Sequence, residues 1–372
     1  HDGAMEAGIQ PLVGALDARC GRFQYVSPRD RHRVADDRDH HGRDTGRVVG
    51  DGTGTHPGPE HVLCCAANVL GERTAPTGRR SVSFTISRSW IGGPEVGWVA
   101  TDEYLGRMGR RRRWDFTLPG AVSISGAAAA PAMGKKEIGP RGSVLAILNV
   151  RLGAWLPHPG WVAKMDAGTT WNHNPGWPWF VREVLRDYRP DAPYLYVSDG
   201  GHWENLGLVE ALRRGCTELI VISASGDGEL SHHAIAEAVE IARTDLGVEI
   251  DLDGIWKVRP KIGGDPDATL GSGRQYIVEP GPAAALGRAA QQAFTMGTLT
   301  FGANGPAPVK GHILVLDAAM IDGLPVDVHE YAESHAEFPH VSTGDQLFTD
   351  RDFEAYRTLG REIATRALST PV

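Results

Sequence analysis

The strongest constraint on the fold is an alternation of short apolar segments with amphipathic segments between residues 194 and 253. Residues 194–198, 218–224 and 248–252 have the length and apolar content of buried strands. Strands that alternate with helices along a chain favour a largely parallel sheet with helices on both faces. We therefore expect an α/β fold with a mostly parallel central sheet.

Two amphipathic segments separate these strands, and both carry helix boundary signals. In the first, Leu206, Val209 and Leu212 form an apolar stripe that we expect to end at Gly215, a residue suited to the C′ position. In the second, Ser231 precedes the apolar stripe and has the side chain of an N-cap residue. These signals predict helices over both segments.

More strands are expected on either side of this region. Residues 62–69 are apolar, and residues 81–87 alternate with a period of two, as in a half-buried strand. The turn-forming residues 76–78 lie between them, so we expect a β-hairpin. Residues 275–279 and 312–317 are predicted to be two further strands.

The C-terminal segment has the pattern of an amphipathic helix. Thr349 and Asp352 have the spacing of a capping box at its start. The expected buried stripe consists of Phe353, Tyr356, Leu359 and Ile363.

The first sixty residues differ in composition from the rest. Residues 29–44 are almost entirely Arg, Asp and His, and Gly-rich sequence follows them. Such a segment buries too little apolar surface to offset its ordering entropy. We expect residues 1–60 to be a poorly ordered or atypical segment and residues 61–372 to form the folded domain.

Composition excludes several functional classes. The formal net charge is −8, so the overall charge does not favour nucleic-acid binding. The local run Arg110–Arg113 is interpreted as either a solvent-exposed surface turn or a contact for phosphate. The four cysteines include no Cys-x-x-Cys pair, which is typical of a reducing compartment and excludes a zinc ribbon. The sequence has no secretory signal and no apolar run long enough to span a bilayer. We expect the chain to be cytoplasmic or at the cytoplasmic face of a membrane.

The candidate functional site comes directly after the predicted strand at residues 194–198. Its members are Ser198, Asp199, Gly200, Gly201, His202 and Asn205. Functional sites form at the carboxyl ends of strands in α/β sheets, and paired glycines allow close backbone approach. Asp199 is thus either a carboxylate presented to a cleft or the first residue of an Asx-turn before a helix.

Five blocks, in order along the chain, resemble bacterial patatin-like phospholipases. They are Ala66–Val69 with Gly78–Phe84; Ser123–Ala128 with Pro131, Met133 and Gly134; Leu148–Gly153 with Trp155 and Leu156; Ser198–Leu208 with Glu210, Arg213 and Arg214; and Phe338–His340 with Ser342, Thr343, Asp345 and Gln346. The resemblance extends from about residue 61 to about residue 360.

The resemblance implies a three-layer α/β/α patatin-like fold, incomplete at its N-terminal side. It also implies a serine lipid acyl hydrolase that acts on a lipid or ester substrate with a Ser-Asp dyad and no cofactor. Asp199 would be the dyad aspartate. The nucleophilic serine of the family lies in a Gly-x-Ser-x-Gly turn, and this sequence contains none. Ser125 and Ser225 lack the preceding glycine, so we expect the chain to be inactive alone, as a fragment or a natural pseudoenzyme.

Other functions also fit the sequence. One is a non-catalytic module that binds a lipid interface through the Trp- and Pro-rich residues 145–180, although a self-packed loop also fits that composition. A metal site at His202 beside Asp199 is a further alternative. A Ser-His-Asp hydrolase that uses His202 or His340 is another, although it also lacks the nucleophile turn, and Cys216 is a candidate thiol nucleophile. The purely structural interpretation of His202 is that it is a turn residue hydrogen-bonded to the backbone.

Overall fold

A computed structural model of the chain describes residues 60–69, 79–108, 116–127, 153–166, 168–171, 175–185, 187–225, 232–252, 254–258, 289–303, 305–341 and 348–369. The described residues belong to two compact units, one ending at Gly207 and one beginning at Leu208. No helix within these ranges is both long and apolar enough to cross a membrane.

The first unit is built on a six-stranded sheet in the order β4-β3-β2-β1-β6-β5. Its strands are β1 (Val62–Asn68), β2 (Ser81–Ser87), β3 (Trp90–Gly93), β4 (Gly97–Ala100), β5 (Ala154–Pro157) and β6 (Tyr194–Asp199). Every neighbouring pair in this sheet is antiparallel. The hairpin predicted from residues 62–69 and 81–87 is confirmed, since β1 and β2 pair along their whole lengths.

Both faces of strand β2 are covered. One face of β2 carries Val82, Phe84 and Ile86, which lie in the main core cluster. The other face carries small hydroxyl side chains, and all seven residues of the strand are buried. The expectation of a half-buried strand was wrong, because the polar face of β2 packs against protein rather than solvent.

Four helices belong to the first unit: α1 (Thr101–Arg107), α2 (Leu118–Ser125), α3 (Pro159–Val162) and α4 (Trp177–Val184). Helix α2 begins where the Thr117 side chain accepts a hydrogen bond from the backbone N–H of Gly120. A 3-10 turn, Gly200–His202, comes directly after β6. This turn contains the residues of the candidate site.

The second unit is built on a four-stranded sheet in the order β7-β10-β9-β8. Its strands are β7 (Glu218–Ser223), β8 (Val248–Asp251), β9 (Phe294–Phe301) and β10 (Val309–Asp317). Its helices are α5 (Leu208–Arg213), α6 (His233–Ile241), α7 (Val326–Ser334) and α8 (Asp350–Ser369), and π-helical residues Ala242–Leu246 extend α6. Strands β7 and β10 are parallel, whereas β9 pairs antiparallel with both β10 and β8.

The predicted three-layer α/β/α fold with a mostly parallel sheet is therefore wrong. The described sheets contain a single parallel pair, β7 with β10. Strands β6, β7 and β8 do alternate with helices along the chain, but β6 lies in one sheet while β7 and β8 lie in the other. Alternation fixes the order of elements and leaves open which strands pair and in which direction. Short connections account for the antiparallel pairs β2–β3 and β3–β4, whereas β1 and β5 pair antiparallel with β6 over long sequence separations.

The helix signals gave mixed results. The first predicted helix ends at Arg213, two residues before the predicted end at Gly215, and Gly215 lies in the turn that follows, with a φ of +77°. The N-cap of α6 is His232, whereas Ser231 lies outside the described residues. The capping box at Thr349 and Asp352 is present, with reciprocal backbone-to-side-chain bonds of 3.3 Å and 2.7 Å.

The buried stripe of α8 differs from the prediction. Its buried residues are Ala355, Leu359, Ile363 and Ala367, and Phe353 is 65% exposed. The buried residues of α8 are spaced four apart and begin at Ala355 rather than at the aromatic Phe353.

Several predicted features lie outside the described residues, namely the segment before residue 60, the run at 110–113, the turn at 76–78 and the strand at 275–279.

Candidate functional site

Asp199 is the last residue of β6, where the strand pairs with β1 and Asp199 lies opposite Cys65. Its carboxylate oxygen Oδ1 accepts a hydrogen bond of 2.8 Å from the backbone N–H of Gly201. This bond from residue i to residue i+2 is an Asx-turn, so that interpretation of the sequence is observed. The turn fixes one oxygen of the carboxylate at the end of the strand.

The second carboxylate oxygen, Oδ2, has no hydrogen bond within the part of the chain that the structure describes. The Asp199 side chain is also partly exposed rather than buried. A carboxylate held through one oxygen and open at the other has the geometry to accept a proton from a hydroxyl group within hydrogen-bond distance. The Asx-turn and a proton-accepting role are therefore compatible.

Both glycines of the turn lie close to neighbouring atoms, but only Gly200 faces backbone atoms. A Cβ atom added to Gly200 would lie 2.6 Å from the backbone oxygen of Cys64 in strand β1. A Cβ atom added to Gly201 would lie 2.0 Å from the side-chain oxygen of Asn205, which is exposed. The turn can approach β1 this closely only without a side chain at Gly200.

The residue before Asp199 is anchored on the opposite face of the sheet. Ser198 is fully buried, and its hydroxyl lies 2.8 Å from Asn68 Nδ2 and 2.8 Å from His202 Nδ1. The hydroxyl of Ser81 donates a 2.8 Å bond to the backbone oxygen of His202. His202 is therefore a turn residue tied to the hairpin through its backbone oxygen, while its ring is bonded to the Ser198 side chain rather than to the backbone.

These bonds also bear on the Ser-His-Asp alternative. Consecutive strand residues point to opposite faces of a sheet, so Ser198 and Asp199 project in opposite directions. The imidazole Nδ1 is bonded to the Ser198 hydroxyl, while the Asp199 carboxylate is bonded to Gly201. These bonds therefore do not form a Ser-His-Asp triad, in which the carboxylate would orient the imidazole.

The face that carries Asp199 also carries Cys65 and receives helix α2. Burial raises the pKa of the Cys65 thiol, and the neighbouring charges of Cys64 and Asp199 raise it further, while a hydrogen bond with Ser125 lowers it. The thiol therefore stays neutral and is a poor nucleophile. The Ser125 hydroxyl donates a 2.6 Å bond to the backbone oxygen of Cys64, so it is engaged in packing α2 against β1.

The remaining candidates lie in the second unit. Cys216 is partly buried between Gly215 and β7, and His340 comes after Pro339, close to the end of the resemblance. Across the described ranges, no group of three or more His, Cys, Asp or Glu side chains is arranged to hold a metal ion.

The Trp-rich region divides into two sets. Trp155 and Trp171 are buried, and Trp179 packs against the same core, with its ring centroid 5.1 Å from that of Trp155. Trp161 and Trp177 are 49% and 73% exposed. The self-packed interpretation therefore holds for the first set and not for the second.

Sequence reasoning missed Asn68, Ser81 and Cys65 as neighbours of the turn. One signal was available: Asn68 is a polar residue near the end of an otherwise apolar strand, and a buried amide needs hydrogen-bond partners. Comparison of the chain with protein-family models, curated proteins and solved structures found no match.

Proposed function

We propose that this chain supplies Asp199 as the proton acceptor of a Ser-Asp dyad in a patatin-like lipid acyl hydrolase. The serine comes from polypeptide outside these 372 residues, since the sequence has no Gly-x-Ser-x-Gly turn. The observation that carries the proposal is the carboxylate of Asp199, which is bonded to Gly201 through Oδ1 while Oδ2 has no bond to the described residues.

The chemistry assigns one proton transfer to Asp199 in each half of the reaction. The serine hydroxyl attacks the ester carbonyl while its proton passes to the carboxylate, and the protonated carboxyl returns that proton to the departing alcohol. A water molecule then attacks the acyl-serine ester and loses a proton to Asp199. The protonated carboxyl returns that proton to the serine oxygen as the acyl–oxygen bond breaks, which releases the acid and restores the serine hydroxyl and the carboxylate. General acid–base assistance of this kind is typically worth about 100- to 10,000-fold in rate.

Support for the proposal is local. It consists of the geometry of the turn and the sequence resemblance around it. The antiparallel first sheet gives no support to a family assignment, and neither do the comparisons. A dyad aspartate needs a fixed backbone and an accessible oxygen, and these requirements are met by the turn itself.

The direct test is hydrolysis of a short-chain nitrophenyl ester by this chain alone. We expect no turnover that depends on Asp199, because an aspartate without a nucleophile cannot form an acyl-enzyme. Asp199→Asn is compared with Asp191→Asn, which removes a carboxylate at an exposed position of the same unit. Turnover by the chain that Asp199→Asn abolishes and Asp191→Asn preserves would show that the nucleophile is present here.

A second function, contact with a lipid surface, is favoured by one specific observation. Trp161 and Trp177 are exposed, and Leu185, just after α4, is 71% exposed. Tryptophan is favoured at membrane–water interfaces, where its ring meets both apolar and polar surroundings. This contact would bring the Asp199 unit to a lipid substrate at a membrane surface.

Sedimentation with phosphatidylcholine vesicles tests this second proposal. We expect Trp161→Ala and Trp177→Ala each to weaken vesicle binding by roughly tenfold, equivalent to about 1.4 kcal/mol. Ile222→Ala is the matched control, since it removes an apolar side chain that is 70% exposed in the other unit. Equal binding by all four proteins would refute lipid contact at the tryptophans.

A further inference from the structure

A buried chain of hydrogen bonds lies behind the Asp199 turn, and its direction can be worked out. Asn68 Nδ2 lies 3.2 Å from the backbone oxygen of Tyr196. A carbonyl oxygen only accepts hydrogen bonds, so the Asn68 atom that faces it must be the amide nitrogen. The second hydrogen of that nitrogen then points to Ser198 Oγ, 2.8 Å away.

The Ser198 hydroxyl sets the direction of the next bond. Its oxygen already accepts a bond from Asn68, and within the described residues its one other partner is His202 Nδ1, at 2.8 Å. If the imidazole donated this bond, the hydroxyl proton of a fully buried serine would have no acceptor among those residues. A buried donor without an acceptor is strongly unfavourable, so the hydroxyl donates and Nδ1 accepts.

We propose that Asn68 is a positioning residue for Asp199, acting through Ser198 and the tautomer of His202. The directed chain runs from the Asn68 amide to the Ser198 hydroxyl to Nδ1 of a neutral His202, whose proton is on Nε2. The connection to Asp199 rests on the proposed function, in which that carboxylate is the dyad base. The direction of the chain of bonds stands independently of it.

Strand alternation links these bonds to the carboxylate of Asp199. The bond between Ser198 and His202 encloses Asp199, Gly200 and Gly201. The hydroxyl of Ser81, in strand β2, donates a 2.8 Å bond to the backbone oxygen of His202. With both ends of the turn fixed on one face, the carboxylate is directed to the other face, and a displacement of about 1 Å can cost roughly 100-fold in rate.

Nitrogen-15 NMR of the histidine rings in this chain is the deciding measurement, with the His202 signals identified by their loss in His202→Gln. The wild-type protein should show His202 with an unprotonated Nδ1 and a proton on Nε2. Asn68→Asp should reverse the chain, because its carboxylate accepts the Ser198 proton and the serine oxygen then accepts from Nδ1–H. We therefore expect the other tautomer in that variant.

Two further variants keep the test decisive. Asn68→Leu removes the amide without adding charge. The Ser198 hydroxyl then still has His202 Nδ1 as its acceptor, so we expect this variant to keep the Nε2–H tautomer, unlike Asn68→Asp. Thr85→Val is the matched control, since it removes a buried hydroxyl of β2 that donates to the backbone oxygen of Gly92 in β3. It should leave the His202 signals unchanged. A wild-type Nδ1–H tautomer, or a tautomer that no Asn68 variant alters, would overturn the proposal.

Kinetic measurements distinguish a failure of the Asn68 proposal from a failure of the proposed dyad role of Asp199. In a polypeptide that includes the serine, Asn68→Leu should lower kcat about 10- to 100-fold with little change in KM. If Asp199→Asn has no effect on turnover, the dyad proposal fails while the tautomer result still decides the direction of the bonds. If Asp199→Asn abolishes turnover but Asn68→Leu leaves kcat unchanged, the positioning role of Asn68 is refuted.

Discussion

Replacement of Gly200 by alanine tests whether the Asp199 turn is fixed by its contact with strand β1. The added Cβ atom would lie 2.6 Å from the backbone oxygen of Cys64 and 3.1 Å from its carbonyl carbon. Both are backbone atoms of a paired strand, since Cys65 lies opposite Asp199 in the sheet, so neither can rotate away. Relief of the overlap requires β1 and the turn to separate, and overpacking of this kind costs about 1–3 kcal/mol.

Gly201→Ala is the matched comparison. Its added Cβ atom would meet the side-chain oxygen of Asn205 at 2.0 Å, but that side chain is exposed and can rotate into solvent. A substitution that only moves a surface side chain changes stability by roughly 0.5 kcal/mol or less. The structure therefore predicts that two adjacent glycines differ in tolerance.

Urea unfolding monitored by tryptophan fluorescence measures this difference. Trp256 is the one tryptophan after residue 207, so the signal reports almost entirely on the first unit. With a slope of about 1–3 kcal/mol per molar urea, Gly200→Ala should lower the unfolding midpoint by roughly 1 M, and Gly201→Ala should lower it much less. Equal midpoints for the two variants would refute the idea that the turn is pinned to β1.

Three other parts of the chain can be tested separately. Because burial raises the pKa of the Cys65 thiol, alkylation of the native protein at pH 8 should spare Cys65 until the protein is unfolded, as peptide mass spectrometry would show. The Tyr331 hydroxyl and the Thr349 backbone lower the pKa of Asp352, so α8 should lose protection from hydrogen exchange as the pH falls below about 4, and Asp352→Asn should remove that dependence. Leu359→Ala should destabilise the second unit by about 2–5 kcal/mol, and Phe353→Ala, at an exposed position, by roughly 0.5 kcal/mol or less, as urea unfolding of each variant would measure.

Local patterns in the sequence were good predictors of single elements. Residues 81–87 alternate strictly, and β2 has those same bounds, because a period of two fits only a strand. The capping box at Thr349 and Asp352 formed as expected, since its bonds join residues three apart in sequence. Asp199 was also correctly placed at the end of a strand.

Local sequence patterns did not predict features that depend on the pairing of strands far apart in the chain. The alternation of strands and helices after residue 194 predicted a parallel sheet, yet β6 pairs with β1, which lies about 130 residues earlier in the chain. The same long separation hid Asn68, whose partners Tyr196 and Ser198 are identified only by the register of β1 with β6. Register is set by packing over the whole sheet, which a local window of sequence does not contain.

Tryptophan illustrates a third kind of difficulty. Its large ring is equally compatible with a core and with an exposed interface, so composition alone could not separate Trp155 from Trp177. The structure separates them by burial, at 8% and 73% exposed.

Whether Asp199 is half of a dyad is decided by ester hydrolysis in a polypeptide that contains the other half. Nitrophenyl ester turnover is measured for the polypeptide translated from the full reading frame that contains these residues, as wild type and as Asp199→Asn. If Asp199 is the dyad base, the wild type hydrolyses the ester and the variant loses about 100- to 10,000-fold in kcat. Wild-type turnover that survives Asp199→Asn would contradict the dyad role of this carboxylate.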